Sequence, residues 1–80
     1  MIHKLKIIPV YFYAVSDGRK TFEIRDNRDR GFQSGDIVEL HEWEDGKYTG
    51  RTITRKITYV TNYEQKDGFV VFSMEQVTRK

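Results

Sequence analysis

The sequence predicts a mainly β fold with one short helix (α+β), built as a small closed or partly open barrel of about five strands. Three observations predict it. Apolar and polar residues alternate with period two in several separate runs. A single stretch led by Pro9 departs from that alternation and places its apolar residues at helical spacings. The last run is apolar on both sides, which puts it inside a sheet and not at its edge. The 80 residues read as one domain, 1–80, with a small core and room for a surface cleft.

Each element follows from its own pattern. Ile2–Ile8 alternates and reads as the first strand. Pro9–Asp17 reads as two to three helical turns, with Tyr11, Phe12 and Tyr13 mostly in the core and Gly18 as the stop. Thr21–Arg25 is a second strand, with Phe22 and Ile24 facing inward. Residues 26–31 form a charged loop, after which Phe32 tucks back onto the core. Gly35-Asp36 signals a turn into a third strand, Ile37–Trp43. Val38, Leu40 and Glu42 share one face of it, and Ile37, Glu39, His41 and Trp43 the other. Glu44-Asp45-Gly46-Lys47 is a tight hairpin connection. Arg51–Thr61 is a long strand with Ile53, Ile57 and Tyr59 on one face. Arg55 interrupts that face, so a bulge, a rim position or an inward-reaching arginine is expected. Residues 62–68 form a polar loop, and Phe69–Val77 is the central last strand.

Composition narrows the function classes. The absence of cysteine removes disulfides, zinc-thiolate sites and cysteine nucleophiles. No apolar run approaches bilayer length and no leader pattern opens the chain, so a cytoplasmic protein is expected. The net charge is +2 with an isoelectric point near 9.0, too mild for a dedicated non-specific DNA binder. His3 and His41 lack ligand spacing, and His41 with Glu39 or Glu42 is the weak alternative, so no metal and no cofactor is expected. No nucleophile elbow surrounds Ser16, Ser34 or Ser73, and the glycines lack a phosphate-loop ending.

The stretch that carries chemistry is Gly18-Arg19-Lys20-Thr21-Phe22-Glu23-Ile24-Arg25. On a strand, Glu23 and Arg25 share a face, with Lys20 at its entry. Two cations and a carboxylate can grip a phosphate or a base edge, shift one another's pKa, or simply pair across strands. Lys20 is a candidate phosphate contact or base, Glu23 a base-edge acceptor or general base, and Arg25 a phosphate clamp or a partner of Glu23 or Glu42. Trp43 is a candidate base-stacking platform or a rim aromatic, and Tyr48, Tyr59 and Tyr63 follow the same logic. Asn27, Arg28 and Arg30 lie in the following loop and could guide phosphate, or be balanced by Asp26 and Asp29.

Gly18-x-Lys20-x-x-Glu23-x-Arg25, set between a short helix and a strand, resembles the signature of the ASCH domain family of the PUA-like superfamily. Gly35-Asp36-Ile37-Val38 is similar to the turn and strand that follow in that family. His41-Glu42-Trp43 and residues 51–60 resemble a compact bacterial and phage subgroup of unassigned function. The resemblance covers roughly Ile2 to Met74. It implies a pseudo-barrel with a cleft beside the helix, lined by Gly18, Lys20, Glu23 and Arg25, and binding of RNA or nucleotides. Some relatives are hydrolases of acetylated cytidine or RNA. In the amidohydrolase branch a threonine, the proposed nucleophile, stands where this chain has Glu23, so that activity is not carried over.

The expected function is therefore a non-catalytic RNA- or nucleotide-binding module, monomeric, with Gly18, Lys20, Glu23, Arg25, Asn27, Arg28 and Trp43 as ligand-binding residues. The alternatives are a small hydrolase of a modified nucleoside or RNA, with Lys20 and Glu23 catalytic, and a phage or regulatory protein-interaction domain.

Overall fold

The computed structural model describes residues 1–77. Its elements are β1 (Ile2–Ile7), α1 (Pro9–Ser16), β2 (Phe22–Asp26), β3 (Ile37–Glu44), β4 (Lys47–Thr61) and β5 (Phe69–Gln76). The strands form one five-stranded sheet in the order β1-β3-β4-β5-β2. β1 runs parallel to β3, and the other neighbours are antiparallel. The result is mainly β with one short helix, a sheet curled into a half-barrel. Its two edge strands, β1 and β2, are linked by the Arg25 guanidinium, which donates to the Lys6 carbonyl at 3.0 Å. β5 is internal, as its two apolar faces predict. Among the described residues no helix is long and apolar enough to cross a membrane.

The core lies on the concave face. Leu5 and Ile7, Val38 and Leu40, Ile57, and Val70, Phe72 and Met74 point there. Phe12 and Val15 of α1 cover them, and Phe32 closes the gap from its loop as expected. Phe32 is held by its own N–H, which donates to Asn27 Oδ1 at 2.8 Å. Three polar groups share this interior: His3, Glu23 and Glu42.

α1 starts where Pro9 presets the first turn. It ends as predicted at Gly18, whose φ of +86° suits a residue without Cβ. Only one stripe of this eight-residue helix reaches the sheet. Phe12 and Val15 occupy it, three residues apart, while Tyr11 and Tyr13 sit about 100° to either side of Phe12 and stay about half exposed. The expectation that both tyrosines join the core is thereby corrected.

β2 inverts its expected faces. Glu23 stands opposite Phe72 in the register, so it shares the core face, while Phe22 and Ile24 point outward. The charge can sit inside because a cation flanks it on each side in the chain, as described below.

β4 begins at Lys47, four residues earlier than Arg51, because Asp45 and Gly46 make a two-residue turn with φ of 54° and 79°. Positive φ at both positions matches the twist of the flanking strands. Of the three readings of Arg55, the inward-reaching arginine is the one observed, and the bulge lies between Ile57 and Tyr59, where the register shifts. That bulge turns Tyr59 outward, 65% exposed, against the expectation that it faces with Ile57. Arg55 stays in register opposite Val38 and reaches inward, donating to the Val15 carbonyl at 3.3 Å. It so adds a second donor, beside Gly18 N–H, to a carbonyl at the C-terminal end of α1. A second shift faces Glu42 with Thr49, Gly50 and Arg51, because His41 pairs with Thr52 while Trp43 pairs with Tyr48. Gly50, at φ +95°, permits that bend.

Candidate functional site between α1 and β2

The stop of α1 places Lys20. Gly18 N–H donates to the Val15 carbonyl at 3.2 Å, and Lys20 N–H to the Ala14 carbonyl at 2.9 Å. Thr21 then offers its carbonyl to Met74 N–H at 3.0 Å, which docks the chain on β5. From this anchored backbone the Lys20 ammonium pairs with Glu23 Oε2 and donates to the Phe22 carbonyl at 2.7 Å. Arg25 Nε donates to Glu23 Oε1 at 2.8 Å. Both oxygens of the buried carboxylate are therefore engaged, and the cluster of two cations and one anion keeps a surplus positive charge. An ammonium has three donors. Among the described residues two of Lys20's are used and one remains.

Lys20 lines a cleft of 310 Å³ with Tyr11, Phe22 and Ile24. Its nitrogen lies 5.0 Å from the Phe22 ring centre and 5.5 Å from that of Tyr11. A cation thus stands between two aromatic rings, each about half exposed. A smaller hollow of 130 Å³ on the other side of Lys20 includes Gly18, Thr21 and Arg55. Partial burial holds the Arg55 guanidinium below the usual arginine range.

The structure brings Gly18, Lys20, Glu23 and Arg25 together, and separates the other candidates from them. Trp43 lies on the outer face of β3, with the Lys6 ammonium 3.8 Å from its ring centre. Asn27 and Arg28 line a different, polar cleft of 290 Å³ with the residues 62–70 segment. Asn27 is occupied with Phe32, and Arg28 pairs with Asp26, whose carboxyl the arginine's hydrogen bonds pull down to about 2. Tyr11, Phe22 and Ile24 escaped sequence reading as site residues. No local signal marked them: cations at i−3 and i+2 make burial of Glu23 tolerable, but the alternation of the segment permits either facing.

A second buried carboxylate sits at the β3–β4 irregularity. Glu42 Oε1 accepts from the Thr49 hydroxyl at 2.7 Å and from Arg51 Nε at 2.8 Å. Those two donors hold the Glu42 carboxyl below its usual range, while Oε2 is buried without a partner among the described residues. Asp36 is lowered likewise, first by His3, whose Nε2 lies 2.8 Å away, then by Gln33 N–H and the Met1 ammonium. Carboxyls depressed in the fold bind protons more readily when the chain unfolds. Stability should therefore be level above the ordinary carboxylate range, about pH 4 to 5, and fall as pH drops through it. Urea midpoints between neutral and acid pH test this, and Glu42→Gln should make the acid limb shallower. A midpoint unchanged well below that range would refute it.

Comparisons with known proteins agree with the extent of these elements. A protein of Escherichia phage P2, described as "Uncharacterized 12.9 kDa protein in GpA 3'region", is 43% identical over 61 residues. That alignment covers 76% of this chain and 55% of the phage protein, so the chain spans about half the length of that relative. A family model described as "Domain of unknown function (DUF3850)" matches residues 2–74. Because that match runs from the start of β1 into β5 and includes the whole Lys20–Glu23–Arg25 cluster, the chain belongs to the DUF3850 family.

Proposed function

We propose that this chain is a non-catalytic RNA- or nucleotide-binding module, an ASCH-like member of the PUA-like superfamily, whose ligand rests in the cleft between α1 and β2. The observation that carries this reading is the Lys20 ammonium, fixed by buried Glu23 and set between the exposed rings of Tyr11 and Phe22. An aromatic ring can stack on a nucleobase of any identity, worth about 1–3 kcal/mol per base. The free donor of Lys20 suits a phosphate oxygen. A cleft of 310 Å³ lies at the small end of ligand sites, which favours one nucleotide unit over a long strand. The half-barrel with its helix between the first two strands supports the superfamily assignment.

Arg25 acts here as a strut. It is spent on Glu23 and on the Lys6 carbonyl, which favours pairing over a phosphate clamp. The same saturation weighs against hydrolysis. A general base needs a lone pair aimed at the substrate, and both Glu23 oxygens already accept from cations.

Calorimetric titration with the four ribonucleoside monophosphates, acetylated cytidine and trinucleotides, with chromatography of each mixture, tests the reading. Binding should fall about tenfold or more in Lys20→Ala and in Phe22→Ala, with no product formed. Unchanged affinity in both variants, or turnover that disappears in Glu23→Gln, would overturn it.

A further inference from the structure

The outer face of the sheet carries a second constellation, away from Lys20. β1 presents Lys4 and Lys6 there, both exposed. In the register Lys4 lies beside Glu39 and Lys6 beside His41, while Trp43 stands opposite Tyr48. Three rings make a row. Tyr48 meets His41 at 5.9 Å and Trp43 at 4.8 Å, both close to edge-on. Tyr48 keeps 56% of its surface exposed. Lys4, Leu5, His41 and Tyr48 border a hollow of 230 Å³.

Charge on this face is unbalanced. The Glu39 carboxylate is engaged by His41 Nε2 at 3.3 Å. Lys4 and Lys6 have no carboxylate partner among the described residues. Lys6 instead sits over the Trp43 ring, 3.8 Å from its centre. Its long stem lets the ammonium leave that ring for a phosphate without moving the backbone. One exposed ring and one half-buried ring on an open sheet, Tyr48 and Trp43, beside ammonium groups without carboxylate partners, are the chemistry that holds successive unpaired bases and the backbone between them.

We propose that the outer face of β1, β3 and β4 binds single-stranded nucleic acid, with Tyr48 and Trp43 stacking on neighbouring bases and Lys4 and Lys6 on the phosphates. His41 packs against Tyr48 and fixes its ring. This surface is independent of the α1–β2 cleft, and the two can fail separately.

Trp43 is the chain's one tryptophan, so its emission reports this face. The full chain is titrated with an RNA of about eight nucleotides, the DNA of the same sequence, and the matching duplex. Quenching by either single strand, and weaker binding of the duplex, is expected. RNA and DNA arms then identify which sugar is preferred. Tyr48→Ala should weaken single-strand binding about tenfold. The double variant Lys4→Ala, Lys6→Ala should reduce the log–log salt slope by roughly 1.4, about 0.7 per phosphate. Lys20→Ala should leave the quench intact, and Tyr48→Ala should leave mononucleotide binding in the α1–β2 cleft intact. Absence of quenching by both single strands, equal binding of the duplex, or single-strand affinity unchanged in both sets of variants would overturn the proposal.

Discussion

Glu23→Gln should cost the fold about 3 kcal/mol, the scale for breaking a buried ion pair from one side. The Glu23 side chain is 5% exposed, and Lys20 and Arg25, at 16% and 23%, are themselves largely withdrawn from water. The amide keeps the shape but loses the charge, leaving two cations facing one another across a neutral group. Its new N–H₂ also points at donors, where the carboxylate accepted. Lys20→Ala should cost much less, about 1 kcal/mol. It leaves Glu23 paired with Arg25, so the buried carboxylate keeps one cation. Urea unfolding followed by circular dichroism measures both. A Glu23→Gln loss no larger than that of Lys20→Ala would show that the carboxylate is not the keystone of the cluster. The same asymmetry explains why Lys20, and not Glu23, is the clean substitution for a binding assay.

Phe72→Ala should cost about 3–5 kcal/mol, whereas Phe22→Ala should stay within about 0.5 kcal/mol of the parent. Phe72 is fully buried at the centre of the concave face, with its ring 5.0 Å from Phe32. Phe22 sits on an edge strand with 43% of its surface in solvent. For a domain of this size the Phe72 loss corresponds to a fall of about 20 °C in Tm, and the Phe22 change to a few degrees at most. Thermal scans of the two variants decide it. Comparable losses would place Phe22 in the core after all. A stable Phe22→Ala protein that no longer binds nucleotide would show an aromatic ring retained for its ligand.

That pair of phenylalanines also shows how far the sequence could be read. The strands and the helix were legible because alternation, Pro9, Gly18 and Asp45-Gly46 act locally, through backbone geometry that neighbours cannot easily override. Phe32's return to the core and the central place of β5 were legible for a similar reason: their apolar surface has nowhere else to go. The facing of β2 was not. Phe22-Glu23-Ile24-Arg25 alternates equally well either way, and the choice is made by the pairing with β5, where Phe72 stands opposite Glu23 from 49 residues along the chain. Tyr59 went astray through a bulge that shifts one register step and leaves no mark in composition. The grouping of Gly18, Lys20, Glu23 and Arg25 was readable from spacing. Its separation from Trp43, Asn27 and Arg28 was not, because which clefts these residues share depends on strand order.

Strand order has one more consequence. β1 and β2 are separated in sequence only by α1, yet they occupy opposite edges of the sheet. β1 bonds to β3 and β2 to β5, so each waits for a partner made later. As the chain leaves the ribosome, Glu23 has no wall to be buried against until β5 has emerged and zipped onto β2. The candidate site is thus assembled last, although most of its residues are translated early, and no shorter intermediate can display a finished cleft to a ligand.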